Sequence, residues 1–296
     1  MRFFSHTFIV IIILSLFLPS CASLPLPTIP LKPVDTPIPA TPTLTPEPAT
    51  LTPTPSQTAT PLPPTTVAAT PEPIRNTPAT LMLHRRNIKF DSVKFLQDFI
   101  AILQQQDLQV VTYRKLVNEP NLTAVKQGRL FIISIDDIYL RYPIDPSVLE
   151  MIAMLVDAGY PAVLGVVTDS DYAYPETVET LRKLQNIGWE IASHSDTHRN
   201  LAEIEKVAPK SVYPEIKASL DKLEKALDLR PITLILPEGQ MTRGDEQIKR
   251  SGVLWVVGIN GGNQYDLRKA YLFVGREGPD GNAQNTFAIM LKRFNP

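Results

Sequence analysis

The residues with the greatest chemical reach in this chain are two adjacent carboxylates, Asp136 and Asp137, and two imidazoles four apart, His194 and His198. Imidazoles at that spacing on a turn or helix face can hold one ion together, and an aspartate can add an oxygen ligand. An ion so held lowers the pKa of a water from about 15.7 toward about 7, which makes a nucleophile available at neutral pH. Successive residues leaving a strand point different ways, so one aspartate can ligate while the other faces a substrate as a base. A base that accepts the water's proton adds roughly 10²–10⁴-fold to the rate. Each pair alone also has a plain structural use, since aspartates cap helices and histidines four apart share solvated helix faces. What selects chemistry is where the two pairs fall.

They fall at strand ends. Leu130–Ile135 is a short apolar run with β-branched residues and reads as a buried strand, with Asp136 and Asp137 directly after it. Pro146–Ala158 has apolar residues at helical spacing and stops at Gly159. Ala162–Val167 is a second strand, and Pro175–Ile187 a helix that opens with proline and closes at Gly188. Trp189–Ser193 is a strand whose end presents His194 and His198. A helix over about Tyr213–Leu227, strands at Thr233–Leu236 and Val253–Val257, and a short helix between those strands complete the reading. This alternation predicts an α/β fold with a parallel sheet, open or closed into a barrel, and both forms carry their chemistry at the carboxyl ends of strands. Pro237-Glu238-Gly239, directly after the Thr233–Leu236 strand, joins the same rim. Asp169 and Asp171 read as a polar loop, and no Gly-x-Ser-x-Gly elbow is present to suggest a serine hydrolase.

The rest of the chain divides by composition. Met1–Ser20 has one early positive charge and an apolar run from Phe8 to Leu18, the length of a signal-peptide core. It ends in Leu18-Pro19-Ser20-Cys21, similar to a bacterial lipobox, so Cys21 is the expected lipid attachment site. Cys21 is also the only cysteine, so the fold rests on its core without an internal disulfide. Residues 21–78 form the expected tether. Seventeen of the chain's 29 prolines lie between Leu24 and Pro78, interleaved with threonine. Such a segment cannot bury enough apolar surface to order itself, and its some 55 residues span on the order of 170 Å if fully extended. Residues 79–296 are the expected globular domain. The net charge of −1 gives no electrostatic footprint for a nucleic-acid partner.

Beyond residue types, the local sequences resemble a family. Ser134-Ile135-Asp136-Asp137 is similar to the Thr-Phe-Asp-Asp motif of the polysaccharide deacetylases with a NodB homology domain (carbohydrate esterase family 4). Glu190–Leu201, with its His194-Ser195-Asp196-Thr197-His198 centre, closely matches that family's second motif, and Leu236-Pro237-Glu238-Gly239 resembles the third. The resemblance implies a deformed (β/α) barrel with fewer than eight complete units. It implies Asp136 as general base, Asp137, His194 and His198 as ligands of a divalent metal, and the Glu238 backbone N–H as oxyanion donor beside Pro237. The activity it implies is removal of N-acetyl groups from an N-acetylglucosamine polymer of the cell envelope.

The chain departs from the family at three places. Ile138 replaces a frequent glycine, the arginine of the third motif is absent, and no Leu-x-x-His lies near the C-terminal end. Leu81-Met82-Leu83-His84 instead resembles the Met-Tyr-His opening of the poly-N-acetylglucosamine deacetylase subset, which implies His84 as general acid. Arg276 is the candidate to hold Asp136 in place of the missing arginine. The expectation is a zinc-dependent, exported, membrane-anchored and monomeric deacetylase. The departures leave a second expectation, a deacetylase-like module that holds a glycan without turning it over, and a third, the same chemistry on another amide or an O-acetyl ester.

Overall fold

The computed structural model describes residues 74–119, 129–259, 264–266 and 269–294. The expected leader, Cys21 and the proline-rich tether up to Pro73 lie outside these. Among the described residues no helix is long and apolar enough to cross a membrane.

The chain runs β1 (Ile74–Asn76), β2 (Ala79–Leu83), α1 (Ser92–Gln105), β3 (Gln109–Val110), α2 (Tyr113–Asn118), β4 (Leu130–Tyr139) and α3 (Pro146–Asp157). It continues through β5 (Val163–Val167), α4 (Pro175–Asn186), β6 (Glu190–Ser193), α5 (Leu201–Val207) and α6 (Val212–Leu227). The last elements are β7 (Thr233–Ile235), α7 (Glu246–Ser251), β8 (Trp255–Val257), β9 (Gln264–Asp266), β10 (Leu272–Val274) and α8 (Ala283–Phe294). β1 pairs antiparallel with β9, so strand structure begins at Ile74, ahead of the expected boundary at Ala79. Flanked by Pro73 and Pro78, Ile74-Arg75-Asn76 has the composition of the tether and no readable period.

The principal sheet has the order β10-β8-β7-β6-β5-β4-β2, with β3 also on β4, and each pairing is parallel. Its edges curve toward one another. A bridge at Leu81 and Glu277 joins them through Met82 N–H to the Glu277 carbonyl at 2.9 Å and Glu277 N–H to the Thr80 carbonyl at 2.9 Å. The result is the expected deformed (β/α) barrel, closed at a narrow seam.

Side-chain alternation sets what faces inward. On β4, Leu130 and Ile132 pack inside with Val163, Ala192, Trp255 and Val274, whereas Phe131, Ile133 and Ile135 pack under α1, α3 and α8. A separate layer beneath α5, α6 and α7 includes Leu234, Leu236 and Val256. β4 is therefore buried on both sides, as parallel strands are. The inward row of β4 continues from Ile132 through Ser134 to Asp136, that of β6 from Glu190 through Ala192 to His194, and that of β10 from Val274 to Arg276. Apolar layers thus fill the amino-terminal part of the interior, and polar groups collect at the carboxyl end.

Candidate metal-binding active site

The sequence places Asp136 and Asp137 after a strand; in the structure they lie inside β4, at a register break between Ile135 and Ile138. Asp137 has φ 62°, a left-handed conformation that aspartate tolerates better than a branched residue would. The kink separates the two carboxyls. Asp136 stays on the inward row and is 1% exposed, while the Asp137 side chain, 30% exposed, turns toward the two histidines.

His194 is buried at the end of β6, with Nδ1 3.0 Å from the Ile235 carbonyl oxygen. A carbonyl only accepts, so Nδ1 carries the hydrogen and Nε2 offers its lone pair to the site. His198 follows on a tight turn in which Ser195 and His198 both take positive φ, 62° and 59°. Ser195 Oγ accepts from the His198 backbone N–H at 3.0 Å. α6 braces this turn from outside. Glu215 Oε1 accepts from Thr197 N–H at 2.6 Å, Ser219 Oγ accepts from Ser193 at 2.9 Å, and Lys222 donates to Asp196 at 2.8 Å. Glu215, Ser219 and Lys222 fall on one helix face at i, i+4 and i+7.

Asp137 Oδ1 is 3.0 Å from His198 Nε2 and 3.4 Å from His194 Nε2, and the two Nε2 atoms are 3.2 Å apart. One ligand atom from each residue lies within 4.8 Å of the others. Burial alone would raise the Asp137 carboxyl. The imidazoles of His194 and His198, with the charge of His84, outweigh it and hold the carboxyl well below the usual carboxylate range. His198 is raised above the usual histidine value, first by the adjacent Asp137 carboxylate, against burial. Even so, Asp137 Oδ1 is fully buried and has no hydrogen bond of acceptable geometry. Proximity without a well-directed hydrogen bond is what donor atoms aimed at a shared point produce. Two imidazole nitrogens and a carboxylate oxygen fit a divalent cation with positions left open.

Asp136 meets a different partner. Arg276, just past β10, donates from Nη1 to both carboxylate oxygens, at 2.8 and 2.9 Å, and to Ser134 Oγ at 2.9 Å. Both side chains are 1% exposed. On β5, Gly165 makes room, because a Cβ there would come within 3.0 Å of Asp136 Oδ1.

Pro237-Glu238-Gly239 forms a tight turn after β7, with Glu238 at φ 57°. Gly239 is required on two counts: its φ is 68°, and a Cβ would lie 2.3 Å from Ile259 Cγ1. The Glu238 carboxylate accepts from Asn200 Nδ2 at 2.8 Å, and Asn200 also caps α5. His84, one residue past β2, approaches the other edge of the cluster, with Nε2 4.0 Å from Asp137 Oδ2. Asp136, Asp137, His84, His194, His198, Glu238 and Arg276 therefore gather at one end of the barrel, drawn from five strand ends. Cys21 lies outside the described residues. Ser134, Asn200, Glu215, Ser219 and Lys222 received no role from the sequence, because each looks like an ordinary strand, cap or solvent-face residue until its partner is known.

Residues 124–252 match the family model described as polysaccharide deacetylase. No curated protein matches. Among solved structures, the chain is similar to the deacetylase PplD of Streptococcus pyogenes in complex with acetate, at 16% identity and TM-score 0.57, over 75% of this chain and 100% of that one. IcaB from Ammonifex degensii aligns at 16% identity and TM-score 0.58, over 73% and 97%. A de-N-acetylase from Aggregatibacter actinomycetemcomitans aligns at 17% identity and TM-score 0.55, over 70% and 98%. At these identities the structural likeness establishes a shared fold.

Proposed function

We propose that this chain is a polysaccharide deacetylase, the family whose model residues 124–252 match, and that it hydrolyses N-acetyl groups on an N-acetylglucosamine polymer with a divalent metal, zinc, held by Asp137, His194 and His198. The observation that carries this reading is the convergence of those three ligand atoms beside a carboxylate, Asp136, whose oxygens are both fixed by Arg276. The de-N-acetylase and the acetate-bound deacetylase of the same fold support the reaction class.

Bound there, the ion would supply a Lewis acid that lowers the pKa of water and polarises the acetyl carbonyl. The chain's own groups do the rest. Asp136 takes the proton from the attacking water, and its hydrogen bonds to Arg276 keep the carboxylate aimed. As the oxygen adds to the carbonyl carbon, the Glu238 backbone N–H faces the developing oxyanion, a contact worth about 10²–10³ in rate. His84 donates a proton to the sugar nitrogen while the carbon–nitrogen bond breaks, releasing acetate and a free amine. Its 42% exposed side chain sits on the open side of the cluster, where a leaving group departs. We also propose that Cys21 anchors the protein to a membrane at the cell surface, with the proline-rich tether carrying the enzyme into the polymer layer.

The test is acetate release from N-acetylglucosamine oligomers and poly-N-acetylglucosamine by the zinc-loaded protein, before and after chelation and with Asp136→Asn. Turnover that survives either treatment sinks the mechanism. For the anchor, Cys21→Ser is expected to move the protein from the membrane to the soluble fraction.

A further inference from the structure

The three ligand side chains are not equally supported. Asp137 belongs to β4, which is paired with β5 on either side of it, at Ile135 and at Ile138. His194 is tied twice, through its backbone N–H to the Val166 carbonyl at 2.9 Å and through Nδ1 to the Ile235 carbonyl. His198 lies four residues beyond, past the end of β6. Its side chain is 30% exposed, and among the described residues no hydrogen bond fixes its Nδ1. Its backbone N–H is used within the turn, on Ser195 Oγ. Ser195 and His198 both hold positive φ, a conformation that costs a non-glycine residue energy and persists only where the surroundings impose it.

The surroundings that impose it belong to α6. Thr197 donates twice to Glu215 Oε1, from its N–H at 2.6 Å and from Oγ1 at 2.8 Å. Asp196 Oδ1 accepts from Lys222 Nζ and from Thr168 Oγ1, both at 2.8 Å, and Lys222 also donates to the Thr168 carbonyl at 2.9 Å. That node joins the end of β5, the turn and the helix, and it is largely sheltered from water, with the Lys222 and Asp196 side chains 25% and 16% exposed. α6 does not depend on the turn for its own place. Ile216, Leu220 and Leu223 are fully buried, and Arg182 on α4 donates from Nε to the Ala226 carbonyl at 2.9 Å. A seated helix holds a group more precisely than a loop does. Asp196 and Thr197, the two anchored residues, stand between the two histidines, so whatever shifts them shifts His198 against His194.

We propose that Glu215 and Lys222 are positioning residues for the metal: from α6 they hold the His194–His198 turn in its ligating conformation and thereby set the affinity for the ion. A site that is ligand-ready for only a fraction of the time binds with its intrinsic Kd divided by that fraction. Cutting the turn loose from α6 lowers the fraction while leaving all three ligands in the chain. The proposal rests on the metal reading above, and it adds what the ligands alone do not specify, the part of the scaffold that governs how tightly the ion is held.

The experiment measures zinc affinity by competition with a chromogenic chelator, at a temperature where circular dichroism shows each protein folded. Lys222→Met and Glu215→Ala are each expected to weaken zinc binding, and the double variant by about tenfold, the lower end of the 10- to 100-fold lost when partners behind metal ligands are removed. Glu215→Gln keeps an acceptor for the Thr197 N–H and is expected to retain most of the native affinity. Lys217→Met removes a half-exposed lysine of the same helix that pairs with Asp221, and is expected to bind zinc as the native protein does. Native affinity in both single variants and the double, or an equal loss in Lys217→Met, overturns the proposal and leaves the metal reading standing. A native protein that takes up no zinc removes the metal reading and this proposal together. Zinc binding without acetate release removes the reaction alone, and the affinity comparison still decides the role of α6.

Discussion

Asp136 and Glu190 are both 1% exposed, and both stand on inward rows of the same barrel, at opposite ends of it. Glu190 opens β6 at the amino end. Its oxygens accept from the Arg114 backbone N–H at 2.7 Å and from Thr233 Oγ1 at 2.6 Å, which ties α2, β6 and β7 together at the barrel floor. Burial pushes its carboxyl above the usual value of 4.5, and these hydrogen bonds pull back only part of the way. Asp136 lies toward the carboxyl end and meets a guanidinium instead, within reach of a ligand cluster. The pair shows how a single architecture uses one group twice. Neutral donors suffice where a carboxylate only joins elements, whereas a guanidinium fixes both oxygens where the carboxylate must be oriented. Barrels of this kind keep stability at the amino end and chemistry at the carboxyl end.

Substitutions can break or sharpen that division. The largest expected effect is on activity: Asp136→Asn should lower acetate release by about 10²–10⁴-fold, measured on protein whose circular dichroism shows it folded. Arg276→Met should cost about 3–5 kcal/mol in urea denaturation by stranding a buried charge. Adding Asp136→Leu to Arg276→Met should restore most of that stability but no activity, which separates the two roles. Glu190→Ala orphans two donors and should cost about 1–3 kcal/mol, with kcat per folded molecule unchanged. A fall in kcat there would erase the contrast between the two ends.

The smallest effect concerns pH. With its folded pKa raised, Glu190 holds its proton more tightly folded than unfolded. Its contribution therefore weakens as pH rises from about 4.5 through the raised value. Glu190→Gln keeps an acceptor for Arg114 N–H and a donor for the Thr233 hydroxyl, and cannot ionise. Denaturation across pH 4 to 8 should show the native protein losing stability relative to Glu190→Gln as pH rises. An unchanged difference would mean that the carboxyl titrates normally.

Much of this was legible before the fold was known, for physical reasons that also mark where legibility ends. Val163–Val167 and Leu130–Ile135 are buried on both faces, so they stand out as apolar runs. α3 and α4 announce their starts with proline and their ends with glycine. β10 and β1, three residues each, carry no period to detect. α5 has seven residues, too few to hold together without its neighbours. The continuation of β4 through both aspartates depends on a left-handed Asp137, which alternation rules do not anticipate. Asp137, His194 and His198 could be named from spacing and resemblance because ligand chemistry restricts residue type. Lys222 and Glu215 could not, since on a helix their pattern is that of a solvated face.

The seam between Leu81 and Glu277 has a consequence for order of assembly. Asp136 and its guanidinium are separated by 140 positions along the chain, and Arg276 immediately precedes the residue that bridges the barrel's edges. Asp137, His194 and His198 are all synthesised well before that segment emerges. Contacts across so long an interval form late, so the Asp136 carboxylate gains its counter-charge only when the cylinder shuts.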